Sequence, residues 1–541
     1  MKLFRNITAA LAVSVIVFAG CKNPARDIQI VVNTDIFKSP MLLQFVNARP
    51  ELDGPQNFDV TITGPGASLV RTTTGGKNYK VAGGLLNILL DRSANPSPAS
   101  PVKFTVVANA AGYAPTYQDV TVTSATEPLI LRVAMNQYAN PAANTGAIVS
   151  TRATTNGTTT SDLVITTVTN AGMALKSAVT VPSGTSLLDA AGQPVGGNQV
   201  EARIVHYSAA GASVMPGGSF AANVIGANNQ PIASGVNLNI AGAVSIDMFF
   251  GGKEVKAFSK PVNVDIEVNN AMINPTTNQP IKENETIPMW SLNDETGQWK
   301  NEGTAMFVKN AAGALVARMQ INHLSGYSVA YDAPLCAAGS TKVTINKPAS
   351  TGTGVQQFQI NYGGLSVVEQ MTNGETSKTI TLVGTPNKGG EIKVAAMRGG
   401  YVNNTFTSSH ASLCGVNPSV NFVAQQDLVN IEIDIKLQCS GKNLLTGVNA
   451  FFMVTPVGKP LSEGSAFGLS NGVGSATAIN GVTYRLSASV DGVNYSTDFK
   501  VEKKNGSVGG GSAVGSLSGS STYDAASNTL TIEGLVTKRC N

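Results

Sequence analysis

Val262-Asn263-Val264-Asp265-Ile266-Glu267-Val268 alternates without a break, with valine and isoleucine on one face and asparagine, aspartate and glutamate on the other. A period of two puts successive side chains on opposite sides of an extended chain, so the stretch predicts a strand with one buried face. Phe58-Asp59-Val60-Thr61-Ile62-Thr63 alternates in the same way and runs into the turn residues Gly64-Pro65-Gly66. Beyond the N-terminal segment no helical stripe of any length interrupts this pattern. Strands with one apolar face bury it against a second sheet, so the expected fold is all-β, built of sandwiches. The 541 residues suit several such domains, and 56 glycines and 25 prolines supply turns between short strands.

Only 13% of the residues are charged, against roughly 25% in an average soluble domain. The 37 basic and 33 acidic residues leave a net charge of +4 with no basic cluster, which excludes the concentrated cationic face of a nucleic-acid binder. A 42% hydrophobic content excludes wholesale disorder.

A short repeat organises the chain. Phe104-Thr-Val-Val-Ala108-Asn-Ala-Ala-Gly112-Tyr113 aligns without gaps on Ile392-Lys-Val-Ala-Ala396-Met-Arg-Gly-Gly400-Tyr401, and a weaker copy runs from Tyr484 through Ala488 to Gly492-Val493. In each, an alternating strand reaches a glycine four residues after an alanine. The pattern resembles the carboxypeptidase-regulatory-like, transthyretin-like sandwich, which implies a glycine with positive φ and an aromatic folded back on the sandwich edge. Four tandem β-sandwich domains are expected, at 27–137, 145–332, 335–436 and 437–541. Asn140 to Gly146 and the tract from Thr154 to Thr160 read as a linker and its exit, and Gly506 to Ser520 as a mobile Gly/Ser-rich loop.

At the N-terminus, Lys2 and Arg5 precede an apolar run from Ile7 to Phe18, and Phe18-Ala19-Gly20-Cys21 follows. The run is short for a bilayer span, and small residues before a cysteine suit a signal peptidase. The segment resembles the bacterial lipoprotein lipobox, with Phe18 where leucine is usual. The resemblance implies that residues 1–20 are removed and that Cys21 carries diacylglyceryl and N-acyl chains, which would hold the protein on a membrane without a spanning helix. Asn23, the third mature residue counted from Cys21, is read as favouring the outer membrane.

The remaining cysteines are Cys336, Cys414, Cys439 and Cys540. An even number in an exported chain suggests disulfides, and of the three possible pairings the spacing and the expected domain limits favour Cys336–Cys414 and Cys439–Cys540. Each of Cys336 and Cys439 is read as opening a domain. No CxxC pair exists and the three histidines are scattered, so no metal and no cofactor is expected. His206 reads as a strand residue at a sheet surface and His410 as solvent-exposed.

The second domain holds the residues closest to chemistry. Trp290 and Leu292 share a face, Asn293 to Gly297 has hairpin-turn character, Trp299 follows, and after another strand near Met306 to Val308 comes Met319-Gln-Ile321-Asn-His323-Leu324-Ser325-Gly326-Tyr327. This order resembles the end of the GAIN domain of adhesion receptors and the related sandwich of netrin receptors and ankyrins. In self-cleaving members the resemblance implies His323 as base, Ser325 as nucleophile and Leu324–Ser325 as the scissile bond. The stapling cysteines of the receptor motif are absent, since no cysteine lies between Cys21 and Cys336. The bland alternative has Ile321 and Leu324 packing, His323 capping a strand end and Ser325-Gly326 forming a bulge. The tryptophans read as core anchors, with a sugar-stacking platform as the alternative. No HExxH, GxSxG or P-loop motif occurs.

These features point to a non-catalytic, lipid-anchored envelope protein displaying modules that bind a glycan or a protein. The two other readings are a surface protein cut at Leu324–Ser325 and a carbohydrate-active enzyme or its accessory module.

Overall fold

The computed structural model describes residues 30–32 and 38–538 apart from short stretches, of which 170–174 and 350–354 are the longest. Four apolar cores succeed one another along the chain, each enclosed by strands.

The first unit contains β1 (Lys38–Asn47), β2 (Asn57–Thr63), β3 (Tyr79–Ala82), β4 (Leu85–Leu90), β5 (Val102–Ala108), β6 (Thr116–Val122) and β7 (Leu129–Met135). They form one layer in the order β3-β2-β5-β6 and another in the order β4-β1-β7, joined only at Ala82 and Leu85. β1 and β7 run parallel, Met41 opposite Leu129, and every other neighbour is antiparallel. Phe45, Leu86, Ile88, Phe104 and Val106 fill the space between the layers.

The second unit has ten principal strands: β8 (Thr145–Ala153), β9 (Leu163–Thr166), β10 (Ser177–Val181), β11 (Gln199–Ser208), β12 (Val236–Phe250), β13 (Ala257–Glu267), β14 (Thr286–Leu292), β15 (Trp299–Lys309), β16 (Leu315–His323) and β17 (Gly326–Ala333). Their order is β8-β11-β12-β17-β14-β15-β16-β13-β10-β9. The two ends of this path meet at a bridge between Ala147 and Val168, so the sheet wraps around one core. The alternating stretch that predicted a strand lies in β13, with Val262, Val264 and Ile266 wholly buried. In β12 a register shift between Ile240 and Gly242 exchanges the two faces. Before it, Leu238 and Ile240 face an outer cluster; after it, Val244, Ile246 and Met248 face the core. A Cβ on Gly242 would meet Ile266 Cγ2 at 2.7 Å, so only glycine fits this crossing.

The third unit repeats the plan of the first. Its strands are β18 (Lys342–Asn346), β19 (Val355–Tyr362), β20 (Leu365–Thr372), β21 (Ser377–Thr381), β22 (Gly390–Ala396), β23 (Thr405–His410) and β24 (Ser419–Asn421). The layers are β20-β19-β22-β23 and β21-β18-β24, with β18 parallel to β24. The fourth unit has β25 (Leu428–Cys439), β26 (Ala450–Pro456), β27 (Ser465–Leu469), β28 (Val473–Ile479), β29 (Thr483–Val490), β30 (Val493–Lys500), β31 (Gly506–Ser512), β32 (Gly515–Asp524) and β33 (Thr529–Lys538). Again one layer is β27-β26-β29-β30, and in the other β25 lies between β28 and a parallel last strand, β33, extended by β32 and β31. The three copies of the sequence repeat fall on β5, β22 and β29, the fifth strand of each plan. Gly112 and Gly492 have φ of 82° and 73°, and Tyr113 and Tyr401 are buried.

Three expectations need correction. Leu428–Cys439 does not close the third domain: Val429, Ile431, Ile433 and Ile435 belong to the core of the fourth, so a boundary at 436/437 cuts its central strand. Gly506 to Ser520 is not a loop but most of a hairpin, β31 paired with β32 from Gly506–Ser521 to Ser512–Gly515. The linker at 140–146 is packed: Ala142 is buried, and wholly buried Thr145 donates through Oγ1 to Ala142 O.

The units do not stand in an open row. Leu42, Leu85 and Ile130 of the first share a small apolar core with Phe451, Met453 and Ala466 of the fourth. Beside it Asn87 donates through Nδ2 to the carbonyls of Phe451 (3.3 Å) and Ser489 (2.9 Å), and accepts from Phe451 N–H at 2.9 Å. The short strand Ile30–Val32, ahead of the first unit, also pairs with the fourth unit, from Leu444 to Thr446.

Candidate functional site

β16 ends at His323 and β17 begins at Gly326, yet β14 and β15 lie between them in the sheet. Leu324-Ser325 is therefore a corner, where the chain crosses the end of the wrapped sheet. Leu324 enters the core and its N–H donates to Lys256 O at 2.9 Å; Ile321 packs beside it. Ser325 is buried, and its hydroxyl donates to the carbonyl of Leu292.

His323 takes the other direction. Its side chain is 47% exposed, with Nε2 3.9 Å from Glu302 Oε1. Glu302 also accepts from Ser291 Oγ at 3.0 Å and lies 3.3 Å from Lys300 Nζ. The Tyr327 hydroxyl donates to His323 O at 2.7 Å and sits 3.2 Å from each ring nitrogen. Among the described residues no hydrogen bond joins His323 to Ser325. A serine that gives its proton to a carbonyl has no base to give it to, so this arrangement does not activate the hydroxyl.

The tryptophans form no platform. Trp290 and Trp299 are 3% and 2% exposed and belong to a cluster on the outer face of the wrapped sheet. Trp290 Nε1 donates to Ala330 O at 3.0 Å. Trp299 is covered by the segment around Gly217, where a Cβ would meet its Nε1 at 2.9 Å. Neither indole offers a face to a sugar ring, which removes them as ligand-binding candidates. The same cluster takes in Ala114 and Tyr138, and so fastens the first unit to the second.

Next to the Ser325 corner, a shallow cleft between these two units is lined by Pro115, Tyr117, Pro216, Ser245, Asp247 and Ser325. Burial pushes the Tyr138 and Tyr207 hydroxyls up, and the charge of Asp247 adds to the shift of each. Sequence reading missed this group, because Tyr138, Tyr207 and Asp247 lie 40 to 109 residues apart and no spacing links them.

His206 is wholly buried, which corrects its expected place at a sheet surface. Its Nδ1 lies 2.8 Å from Ser177 Oγ on β10, Nε2 has no hydrogen-bond partner, and burial lowers its pKa to about 4. His410 is half-buried at the end of β23, with Nε2 2.7 Å from Ser408 Oγ. Cys336 and Cys414 are bonded to each other, with Cα atoms 5.2 Å apart. Cys21 and Cys540 lie outside the described residues, and with Cys540 the expected Cys439–Cys540 bond.

A second unforeseen residue is Arg132, at the meeting point of three units. Its Nε lies 3.4 Å from Gln44 Oε1, Nη1 donates to Gln359 Oε1 at 3.1 Å, and Nη2 donates to Ser462 O at 2.7 Å. All three partners are neutral, and burial lowers its pKa to about 10.

No protein-family profile matches the chain, and no curated protein matches it either. Among solved structures it is similar to the Bacillus anthracis TIE protein, at 9% identity and a TM-score of 0.14, over 72% of this chain and 58% of that one. It is also similar to the shaft pilin SpaA of Lactobacillus rhamnosus GG, at 12% identity and a TM-score of 0.14, over 37% of this chain and 98% of the pilin. The chain thus spans just over half of the TIE protein, and superpositions this loose carry no argument about fold or function.

Proposed function

We propose that the chain is a non-catalytic cell-envelope lipoprotein, anchored through Cys21, whose transthyretin-like units and larger central sandwich display binding loops to a glycan or protein ligand. The observation that carries the reading is the run Phe18-Ala19-Gly20-Cys21 after a short apolar segment, placed ahead of a chain folded almost wholly as sheets. Specificity belongs to the loops at the sandwich ends, held by rigid strands. The buried tryptophans and the diverging His323 and Ser325 support binding rather than sugar hydrolysis or self-cleavage.

Labelled palmitate tests the anchor. It is expected to enter the wild-type chain and not the Cys21→Ala variant, and incorporation that survives the substitution would sink the reading. Protease shaving of intact cells then reports which side of the outer membrane the units face. Intact mass should show one chain uncut at Leu324–Ser325, and a fragment starting at Ser325, lost in Ser325→Ala, would establish the self-cleaving alternative instead.

A further inference from the structure

A sheet edge presents unsatisfied N–H and C=O groups, and proteins defend such edges with charge, brevity or a covering neighbour. Most edges here are defended. β6 carries Asp119, β30 carries Asp498 and Lys500, β21 carries Lys378 in an ion pair with Glu369, and β24 is three residues long. β20 and β7 lie against each other across the first and third units, and β27 and β28 lie against β19. The wrapped sheet closes on itself at Ala147 and Val168.

β23 has no such defence. Thr405-Phe406-Thr407-Ser408-Ser409-His410 contains no proline, lysine, aspartate or glutamate, and its register with β22 is unbroken from Ala395–Thr405 to Gly390–His410, so no bulge turns it away. Among the described residues β22 is the only strand paired with it. Of two further neutral edges, Ile30–Val32 is only three residues long, and β31 has four glycines in seven residues and loses more backbone entropy on pairing.

We propose that β23 is a self-association edge, on which a second copy of this chain pairs antiparallel across a two-fold axis. The strand's own composition selects that occupant. A strand with no acidic residue, lysine or arginine meets no carboxylate or ammonium of like sign when set against itself, and offers nothing that would favour a strongly charged partner. Two-fold antiparallel pairing sets one residue opposite its own copy, and at the centre of this strand that residue is Thr407 or Ser408. The two β20-β19-β22-β23 layers would then join into one eight-stranded sheet. Six residues a side bury less than a standard interface, so the pairing is weak and dominates only where copies are crowded. It does not depend on the lipid anchor.

The test is cysteine trapping of the full-length chain in detergent, with Thr407→Cys and Ser408→Cys as separate variants. Thr381→Cys, exposed on the charged edge β21, is the control. One of the two central cysteines is expected to form the disulfide-linked dimer at least tenfold faster than the control. Thr407→Lys or Ser408→Lys, at whichever position traps faster, would set two ammonium groups against each other, and is expected to weaken concentration-dependent association in sedimentation by tenfold or more. Trapping no faster at either central position than at Thr381, or unchanged sedimentation of that lysine variant, would overturn the proposal.

Discussion

His206 spans the inside of the wrapped sheet from β11 to Ser177 on β10, and with one ring nitrogen unsatisfied it is held neutral. Its folded pKa of about 4 lies below the ordinary histidine value of about 6.5. The unfolded chain therefore takes up a proton first as the pH falls. Stability is complete above about pH 6.5, declines between about 6.5 and 4, and changes no further from this group below that, a loss of about 3 kcal/mol in all. Urea midpoints between pH 7.5 and 4 should fall in the wild type and fall less in His206→Phe; parallel curves would refute the assignment. Trp290 is tested by a different readout. Truncating it to alanine should cost about 3–5 kcal/mol of stability, read by thermal melting, because it empties a buried site and leaves Ala330 O without its donor. Any glycan the protein binds should still bind the folded variant.

At the scale of the strand, what the sequence made legible followed its period. Alternation located β2, β5 and β13, and the glycine after the fifth strand marked the same turn in the first and fourth units, because such a turn requires positive φ. What stayed illegible was membership. The alternation of Ile431 to Leu437 announces a strand but not the sheet it enters, and the partner that decides this, β33, lies about a hundred residues on. Gly506 to Ser512 reads as loop by composition, yet backbone pairing with β32 makes it a strand regardless of side chains. The corner at Leu324-Ser325 was visible as a break between strands, but the opposite headings of His323 and Ser325 depend on Glu302, Tyr327 and Leu292, which no spacing rule ties to them. The Cys336–Cys414 bond was favoured by spacing together with the expected domain limits, and it fastens the start of the third unit to the link between β23 and β24. It closes a loop of 78 residues, worth about 4.5 kcal/mol in the chain-entropy account. Replacing both cysteines by serine should lower the unit's denaturant midpoint accordingly, and an unchanged midpoint would show that the bond adds nothing.

For the whole molecule, the decisive contacts are those between the first and last units, which turn a serial chain into a closed one. The joint mixes a small apolar core with directional polar bonds, so its closure depends on few groups. Asn87 is the most exacting of them, since one carboxamide satisfies an N–H and two carbonyls of the fourth unit in a buried setting. Asn87→Leu keeps the branching and the heavy-atom count but leaves all three groups without that partner, at a cost of about 2–4 kcal/mol. Because the first and fourth units have separate cores, that cost falls on the joint rather than on either fold. Hydrogen exchange should therefore accelerate at the Phe451 amide and along β26, while β33, paired on both sides, keeps its protection. Small-angle scattering should show a larger radius of gyration, and adding Arg132→Ala should enlarge it further by removing the bond from Arg132 to Ser462 O. If Asn87→Leu leaves both the Phe451 exchange rate and the scattering curve unchanged, the two units are not held together through Asn87, and the closed arrangement does not rest on this joint.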